Sequence, residues 1–583
     1  MNPADPIDPL DKESLARECA LEIRRRFADY NTRFRAVTQR AKRRFEQRDW
    51  AAARLDSVER IELYDLCAGE TTAWLETTLG ARVTERDLWA RIFRNYSELI
   101  AALLDQEMNK TFFNTLTRRF FKTRGVDATI EFVALDIEPT DAITHPVARH
   151  NYIATQDLVA LFRRALEDYP FAAVFADADA CARRVALAVT QRIGHWGVEP
   201  VRALELLETV FYRERRAYLV GRIFGDERFA PFVMALVHDE QGIRVDAVLT
   251  ERDHVAILFG VTRAYFQADL ATVGDAVVFL RTLLPRKPID ELYTVLGRAK
   301  QGKTERYRHF FHYLDTHADE CFVHADGERG MVMAVFTLPS YPLVFKLIRD
   351  RFAYPKEMLR QDVMDKYQLV FKHDRVGRLV DAQEFRHLRF QRAQFAPAVL
   401  DELLTSCRDS VIEDGDEIIL IHMYVERRLR PLNLFVREAP MHLVRTAVLD
   451  YGQAIKDLAA SNIFPGDLLL KNFGVTRHGR AIFYDYDELC LLSECRFRAM
   501  PQARDESDET VAAGDWVYVG QNDVFPEQFL RFLGLSEPLR EALMETHGEI
   551  FDVRWWLAQQ ERIKQGVYAD LPPYVDANRV VCD

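Results

Sequence analysis

The chain has 583 residues, too many for one hydrophobic core and enough for about two to four domains. Its 48% hydrophobic and 29% charged residues are typical of a soluble globular protein, and a net charge of −12 argues against a nucleic-acid partner held by bulk charge. No stretch approaches the roughly 20 apolar residues that cross a bilayer, so we expect no membrane association. The eight cysteines form no Cys-x-x-Cys pair and the N-terminus does not resemble a signal peptide, so we expect a cytoplasmic protein.

The region from about residue 12 to residue 315 has mostly helical periodicity. Apolar residues recur every three or four positions in several segments, which predicts amphipathic helices. These segments are "ALEIRRRFADYNTRFRAVTQRAKRRF", "PVRALELLETVFYRERRAYLVGRIF" and "VGDAVVFLRTLLPRKPIDELYTVLGRAKQGK". The runs "FVMALVHD" and "IRVDAVLTE", separated by "EQG", predict one β-hairpin within this region.

The pattern changes near residue 320, and we place a domain boundary at about 315–322. The runs "ECFVHA", "MVMAVFTL" and "LVFKLI" are short and rich in β-branched and aromatic residues, as in an antiparallel sheet. A buried strand, "DEIILIHMYVE", and a long helix, "MHLVRTAVLDYGQAIKDLAAS", follow. The fold class predicted for the whole chain is therefore α+β.

The segment "GRAKQGKT", residues 297–304, matches the phosphate-loop pattern G-x-x-x-x-G-K-[ST]. That loop cradles phosphates only between a buried strand and a helix. Here the preceding "IDELYTVL" has helical spacing. We therefore predict a helix end capped by Gly302, followed by a new helix, and no nucleotide site.

A glycine-bearing turn between two predicted strands is the better phosphate site. Its glycines allow the backbone to approach a polyphosphate, and its arginine offers a positive charge. Lys346 follows inside "LVFKLI" and resembles the phosphate-pairing lysine of the protein kinase fold. In kinases a helix glutamate pairs with this lysine, and Glu357 is our candidate. The turn consists of Ala325, Asp326, Gly327, Glu328, Arg329, Gly330 and Met331.

The stretch "FPGDLLLKNFGVTRHGRAIFYDYDE" contains the residues of a kinase catalytic loop. Asp467 and Asn472 have its Asp-x-x-x-x-Asn spacing, in which the Asp lies near the accepting hydroxyl and the Asn binds magnesium. Asp485 stands where the metal-binding Asp of Asp-Phe-Gly stands. With the hairpin and Lys346 upstream, this order predicts two kinase-like lobes, about 319–428 and 429–583. It also predicts ATP as a substrate, with Mg²⁺ bound by Asn472 and Asp485.

The loop departs from the kinase pattern in three ways. Pro465-Gly466 replaces the usual His-Arg, and Asp487 stands in place of the Gly of Asp-Phe-Gly. The lysine two places after the catalytic Asp is absent, and Lys471 lies beside Asn472 instead. We predict that Lys471 neutralises the transferring phosphate.

Together, "NIFPGDLLLKNFGVTRHGRAIFYDYDE", "KHDRVGRLVDAQEF" and "AKQGKT" resemble the bacterial isocitrate dehydrogenase kinase/phosphatase family, and the likeness runs along the whole chain. The resemblance implies one polypeptide that phosphorylates a serine of isocitrate dehydrogenase with ATP and Mg²⁺ and also removes that phosphate. This activity controls flux between the citric acid cycle and the glyoxylate bypass. The resemblance also implies a helical regulatory domain at 1–318, a kinase-like catalytic domain at 319–583, and control by AMP and metabolite effectors.

Carried over residue by residue, the family's ATP segment falls on 325–331 and its ATP lysine on Lys346. Its residue associated with phosphatase action falls on Asp381. Without the family, Asp381 is read as a helix N-cap. Apart from the kinase-like motifs, the sequence has no motif for a separate phosphatase, so we predict that one site serves both activities.

Two other functions are compatible with the motifs. Small-molecule phosphotransferases of kinase-like fold also carry Gly-Asp in the catalytic loop, as at Gly466-Asp467, although the long N-terminal half favours a macromolecular substrate. A non-catalytic nucleotide-binding scaffold is disfavoured because the expected catalytic residues are all present, namely Lys346, Asp467, Asn472 and Asp485.

Overall fold

The computed structural model describes residues 9–104, 106–132, 146–155, 157–194, 197–260, 265–353, 356, 358–500, 520, 522–567 and 569–580. The chain divides into two compact units, with Met1–His317 and Pro572–Asp583 in unit 1 and Ala318–Leu571 in unit 2. Helices and mainly antiparallel sheets occur in both, which confirms the α+β fold class. The end of the chain groups with unit 1, whereas the sequence led us to place it in the C-terminal domain.

Unit 1 begins with a helical layer. The first helix has buried apolar side chains at three- and four-residue spacing from Ala16 to Phe45, as its sequence predicts. The helices of unit 1 are α1 (Pro9–Gln47), α2 (Trp50–Leu79), α3 (Arg86–Ile100), α4 (Gln106–Phe121), α5 (Leu158–Glu167), α6 (Ala178–Ile193), α7 (Arg252–Leu258), α8 (Val273–Leu283), α9 (Ile289–Val295) and α10 (Ala299–Thr316).

A six-stranded antiparallel sheet forms the second part of unit 1. Its strand order is β1-β2-β4-β5-β6, with β3 paired to β4. The predicted hairpin is confirmed as β5 and β6, which turn between Asp239 and Gly242. The strands are β1 (Arg149–Ile153), β2 (Ala203–Leu207), β3 (Phe211–Arg213), β4 (Arg216–Phe224), β5 (Phe229–Asp239) and β6 (Gly242–Leu249).

The helix predicted over "PVRALELLETVFYRERRAYLVGRIF" is wrong, because this segment contains β2, β3 and β4. Ala217 and Leu219 of β4 enter one hydrophobic cluster. Tyr218 and Val220 enter another on the opposite face. A strand covered on both faces loses the polar-apolar alternation that distinguishes it from a buried helix.

The phosphate-loop match is a junction between two helices, α9 and α10. Gly302 is not the predicted cap, since it lies within the first turns of α10. A Cβ there would lie 2.2 Å from Thr294 Oγ1 and 2.5 Å from the Asp290 carbonyl oxygen. This glycine therefore lets α10 pack closely against α9, and the strand that a phosphate loop requires is not there.

The C-terminal segment, residues 572–580, packs on the sheet of unit 1. Tyr574 is buried, accepts a hydrogen bond from Arg216 Nε at 2.7 Å and donates one to Asp246. Arg579 Nη2 lies 2.8 Å from Asp246 Oδ1, and the Val580 N–H donates to the Asp246 carbonyl oxygen at 2.8 Å. Asp246, on β6, thus holds the segment through both its side chain and its backbone.

Unit 2 begins with a six-stranded antiparallel sheet in the order β10-β12-β9-β8-β7, with β11 paired to β12. The three short strands and the buried strand predicted from the sequence are confirmed as β7, β8, β9 and β12. The strands are β7 (Val323–His324), β8 (Met333–Thr337), β9 (Leu343–Ile348), β10 (Gln383–Gln391), β11 (Val411–Asp414) and β12 (Glu417–Arg427).

The rest of unit 2 consists of helices and small sheets of two or three short strands around one hydrophobic core. The predicted long helix is confirmed as α14. The helices are α11 (Arg360–His373), α12 (Pro397–Ser406), α13 (Leu432–Glu438), α14 (Met441–Ala460), α15 (Phe529–Phe532), α16 (Glu537–His547) and α17 (Val553–Lys564). The strands are β13 (Arg430–Pro431), β14 (Ile463–Phe464), β15 (Phe473–Val475), β16 (Ala481–Phe483), β17 (Cys490–Leu491), β18 (Arg496–Phe497) and β19 (Asp523–Val524).

Within the described ranges, no helix combines the length and the apolar content that crossing a membrane requires.

Candidate active site

Lys346 lies on β9, in the interior of unit 2. Its Nζ is 2.7 Å from Glu426 Oε2 and donates a hydrogen bond to the Tyr484 carbonyl oxygen at 2.8 Å. Both partners of the ion pair are buried. Because Tyr484 directly precedes Asp485, this lysine links the sheet to the predicted metal-binding loop.

The sequence did not identify Glu426 as the partner of Lys346. Glu426 lies on β12, in register with Val344, so its side chain and that of Lys346 share one face of the sheet. The Tyr367 hydroxyl donates to it at 3.3 Å. Burial raises the pKa of Glu426, and the charge of Lys346 opposes that rise. Our candidate Glu357 lies outside the described residues. The available signal was an acid at the end of the apolar run "IILIHMYVE".

Asp467 and Asn472 lie on one tight loop. The carboxylate of Asp467 accepts a hydrogen bond from the Leu469 N–H at 2.9 Å, and Asn472 Nδ2 donates to the Asp467 carbonyl oxygen at 3.3 Å. The Tyr484 N–H donates to the Asn472 carbonyl oxygen at 3.1 Å. Side-chain bonds therefore fix the catalytic loop internally, and a backbone bond joins it to the segment of Asp485.

Gly466 explains one departure from the kinase pattern. Its φ is +82°, a left-handed conformation that side chains disfavour. A Cβ at this position would lie 2.5 Å from the Glu488 carbonyl oxygen. The arginine found in kinases has no room here, because the segment after Asp485 packs directly against the loop.

Asp485 is a buried acid with a second carboxylate, Asp487, nearby. Burial raises the pKa of Asp485 to about 7, the nearby Asp487 adds to the rise, and the charges of Lys346 and Lys356 oppose it. Lys356 Nζ lies 2.9 Å from Asp487 Oδ2. A divalent cation would stabilise the ionised form of Asp485, and carboxylate and amide oxygens are the ligands that Mg²⁺ prefers.

Asp381 lies next to the strand that leads into Asp485. The Val380 N–H donates to the Phe483 carbonyl oxygen at 3.0 Å, and the Tyr486 hydroxyl donates to the Val380 carbonyl oxygen at 2.6 Å. The charge of Asp381 adds to the raised pKa of Glu426, so the two carboxylates are close enough to interact electrostatically. The helix N-cap interpretation is wrong, because the residues after Asp381 lead into β10.

The glycine-bearing turn 325–331 joins β7 to β8 and is mostly exposed. Lys471 Nζ lies 3.1 Å from Glu328 Oε2, so the catalytic loop contacts the turn directly. Asp326 is paired with Arg430 Nη1 at 2.6 Å. The structure thus brings the turn, Lys346, the Asp467 loop, Asp485 and Asp381 into one region of unit 2.

Within the described ranges, no group of three or more His, Cys, Asp or Glu side chains is arranged around a metal position. The two predicted magnesium ligands do not make such a group, because of the two only Asp485 is one of these residue types. Magnesium in phosphoryl-transfer sites commonly has few protein ligands and completes its shell with water and phosphate oxygens. The pair Asn472 and Asp485 fits that mode of binding.

Comparison with known proteins identifies the family of the chain. Residues 20–318 match the model "Isocitrate dehydrogenase kinase/phosphatase (AceK), regulatory domain", and residues 320–576 match the corresponding kinase domain. A protein of Xanthomonas euvesicatoria named isocitrate dehydrogenase kinase/phosphatase is 57% identical over 98% of this chain and 99% of its own length. One of the same name from Anaeromyxobacter sp. is 45% identical over the same shares. The chain therefore belongs to the isocitrate dehydrogenase kinase/phosphatase family.

Proposed function

We propose that this protein phosphorylates isocitrate dehydrogenase on serine with ATP and Mg²⁺, and removes the same phosphate. The observation that carries the proposal is the buried Lys346–Glu426 pair hydrogen-bonded to the loop of Asp485, which is itself tied to the loop of Asp467 and Asn472. The family membership supplies the identity of the protein substrate.

In this proposal the turn 325–331 and Lys346 bind the phosphates of ATP, while Asn472 and Asp485 bind Mg²⁺. When bound, the cation neutralises charge that develops on the transferring phosphoryl group. Asp467 accepts the proton of the serine hydroxyl, which makes that oxygen a better nucleophile. Lys471 exchanges its contact with Glu328 for one with the phosphate.

We further propose that dephosphorylation uses the same site. Two observations support a role for Asp381: its charge acts on Glu426, and the preceding residue, Val380, is hydrogen-bonded to Phe483 of the strand leading to Asp485. In this proposal Asp381 orients a water molecule or another phosphoryl acceptor. The acceptor is either bound ADP, followed by ATP hydrolysis, or water directly. Asp381 is thus needed for phosphate removal, whereas Asp485 is needed in both directions.

The wider role follows the family resemblance. The protein controls flux between the citric acid cycle and the glyoxylate bypass, acts in the cytoplasm, and responds to AMP and metabolite effectors.

The test measures both activities on purified isocitrate dehydrogenase with ATP and Mg²⁺. Asp485→Asn is expected to lose both, by about 10² to 10³ in rate, since it removes a charge that stabilises the transition state. Asp381→Ala is expected to lose dephosphorylation and keep much of the kinase activity. Lys303→Ala, in the helix junction of unit 1, is the control for ATP affinity and should leave it intact.

Two results would contradict these proposals. Wild-type protein that leaves isocitrate dehydrogenase unphosphorylated, yet transfers phosphate to a small molecule, would refute the substrate assignment. Normal dephosphorylation by folded Asp485→Asn would refute the shared site.

A further inference from the structure

Two cysteine side chains of unit 2 are in contact beside the candidate active site. The Sγ atoms of Cys490 and Cys495 are 3.5 Å apart, across the single turn Leu492–Glu494. A disulfide requires about 2.0 Å between sulfur atoms. The pair is therefore about 1.5 Å from bonding distance, a gap that side-chain rotation with a small backbone shift closes.

The two thiols differ in ways suited to oxidation in two steps. Cys490 is half-buried and Cys495 is buried. A hydrogen bond with Cys495 and the charge of Lys366 lower the pKa of Cys490, whereas the same hydrogen bond and burial raise the pKa of Cys495. A more acidic, more accessible thiol with a second thiol in contact is the arrangement of an attacking and a resolving cysteine.

Cys490 lies close to the loop of Asp467 and to the loop of Asp485, so a displacement of Cys490 would be transmitted to both. Cys490 pairs in register with Phe464, two residues before Gly466. Cys490 also lies two residues after Glu488, and Gly466 packs against Glu488.

A buried glutamine holds the Cys495 end of the turn. Gln560 Nε2, on α17, donates to the carbonyl oxygens of Leu492 and Cys495 at 2.7 and 2.8 Å. Because Cys490 pairs with Phe464, any displacement of Cys490 on closing the gap is transmitted to β14 and the loop that follows it.

We propose that Cys490 and Cys495 are an oxidation site at which a peroxide forms a reversible disulfide that slows phosphoryl transfer. The effect on transfer rests on the function proposed above, whereas formation of the disulfide does not. The Cys490 thiolate attacks a peroxide oxygen, the O–O bond breaks, and hydroxide leaves to give a sulfenic acid. Cys495 sulfur then attacks Cys490 sulfur, the S–O bond breaks, and water leaves. Overall, two thiols and hydrogen peroxide give a disulfide and two waters, and a dithiol reverses the reaction.

The test treats the full-length protein with hydrogen peroxide, alkylates the remaining thiols and digests with trypsin. The tryptic peptide 481–496 contains both cysteines. We expect this peptide unalkylated and lighter by two hydrogen atoms, and we expect dithiothreitol to reverse the change. Kinase activity on isocitrate dehydrogenase should fall about tenfold to 10²-fold, because displacements near 1 Å in a catalytic site cost this much, and should return with dithiothreitol.

Serine variants separate this site from general oxidation. Cys490→Ser and Cys495→Ser should each retain their own starting activity after peroxide. Cys321→Ser, which changes another half-buried cysteine of unit 2, should still form the disulfide and lose activity. Alkylation of both cysteines after peroxide would refute the disulfide, and a disulfide without loss of activity would refute its effect. A reduced protein inactive towards isocitrate dehydrogenase would refute the proposed function, while the peptide mass would still decide the disulfide.

Discussion

Glu305, on α10 of unit 1, shares one arginine with a second acid. Arg308 Nη1 lies 3.1 Å from Glu305 Oε1 and 2.6 Å from Glu107 Oε2. Burial raises the pKa of Glu305 to about 7, Arg308 opposes the rise, and Glu107 adds to it. The pKa of Glu107 is lowered, because Arg308 and Lys110 outweigh its burial. The arginine thus stabilises the charge of Glu107 more than that of Glu305.

This arrangement predicts a pH-dependent stability. An unfolded glutamate releases its proton near pH 4.3, whereas Glu305 in the native protein keeps it until about pH 7. Between these values the native state binds more protons, so this group's contribution to stability falls as pH rises and is lost above about pH 7. We expect Glu305→Gln to gain stability relative to wild type between pH 5 and pH 8, by up to a few kcal/mol at about 1.4 kcal/mol per pKa unit. Thermal unfolding of wild type and of Glu305→Gln at pH 5 and at pH 8 measures this gain. A stability difference between the two proteins that is the same at both pH values would contradict the prediction.

At the scale of single residues, the sequence predicted polar side chains that belong to local motifs. Asp467 and Asn472 are five positions apart on one loop, so their proximity follows from spacing alone. The pairing of Lys346 with Glu426 depends on the register of two strands that are distant in sequence. Register is set by packing of the whole sheet, which is why the sequence alone did not provide this partner.

At the scale of elements, helix α14 is fixed to the segment before Asp381 through one buried arginine. Arg378 Nε lies 2.7 Å from Asp457 Oδ2, and its Nη1 lies 2.5 Å from Asp450 Oδ2. The same Nη1 donates to the Ala481 carbonyl oxygen at 3.1 Å. One side chain therefore connects α14 to β16, the strand that leads to Asp485.

We expect Arg378→Ala to destabilise unit 2 strongly. Removing one partner from a buried ion pair leaves uncompensated charge, here on Asp450 and Asp457, and typically costs about 3–5 kcal/mol. Hydrogen exchange of the α14 backbone should accelerate accordingly, while exchange in α1 of unit 1 stays unchanged. Arg378→Lys keeps the charge but lacks the two-pronged geometry. Its α14 exchange rate should therefore lie between those of wild type and Arg378→Ala. Unchanged protection of α14 in Arg378→Ala would contradict this assignment.

The elements that the sequence predicted well carry a clear local signal in the sequence. Helix α1 and helix α14 have clear apolar stripes, and the β5–β6 hairpin has a polar turn between two apolar runs. The region from β2 to β4 failed because the sheet is apolar on both sides. Its periodicity contains no information that separates a buried strand from a buried helix.

At the scale of the whole molecule, unit 1 is built from two stretches that are separated in the sequence. Unit 1 contains both the first part of the chain and residues 572–583, with unit 2 between them in sequence. Tyr574 belongs to a hydrophobic cluster of unit 1. Arg192 Nη2 also donates to the Ala577 carbonyl oxygen at 2.8 Å.

Truncation after Leu571 is therefore expected to destabilise unit 1. It removes the buried ring of Tyr574 and leaves Asp246 without the hydroxyl and without Arg579. Loss of a large buried aromatic side chain typically costs about 3–5 kcal/mol. Hydrogen exchange in β6 should be faster in the truncated chain than in the full-length chain, while β12 of unit 2 keeps its protection. Equal protection of β6 in both chains would contradict this prediction.

The position of Asp246 and its partners also has a consequence for biosynthesis. Proteins emerge from the ribosome N-terminus first, and domains usually fold in that order as they appear. Here Asp246 is synthesised more than 300 residues before Tyr574 and Arg579. During synthesis, Asp246 in the sheet of unit 1 therefore lacks Tyr574 and Arg579 until the whole of unit 2 has been translated. A premature stop codon near the end of the gene would spare every residue of the candidate active site, yet leave the N-terminal half of the protein unfinished.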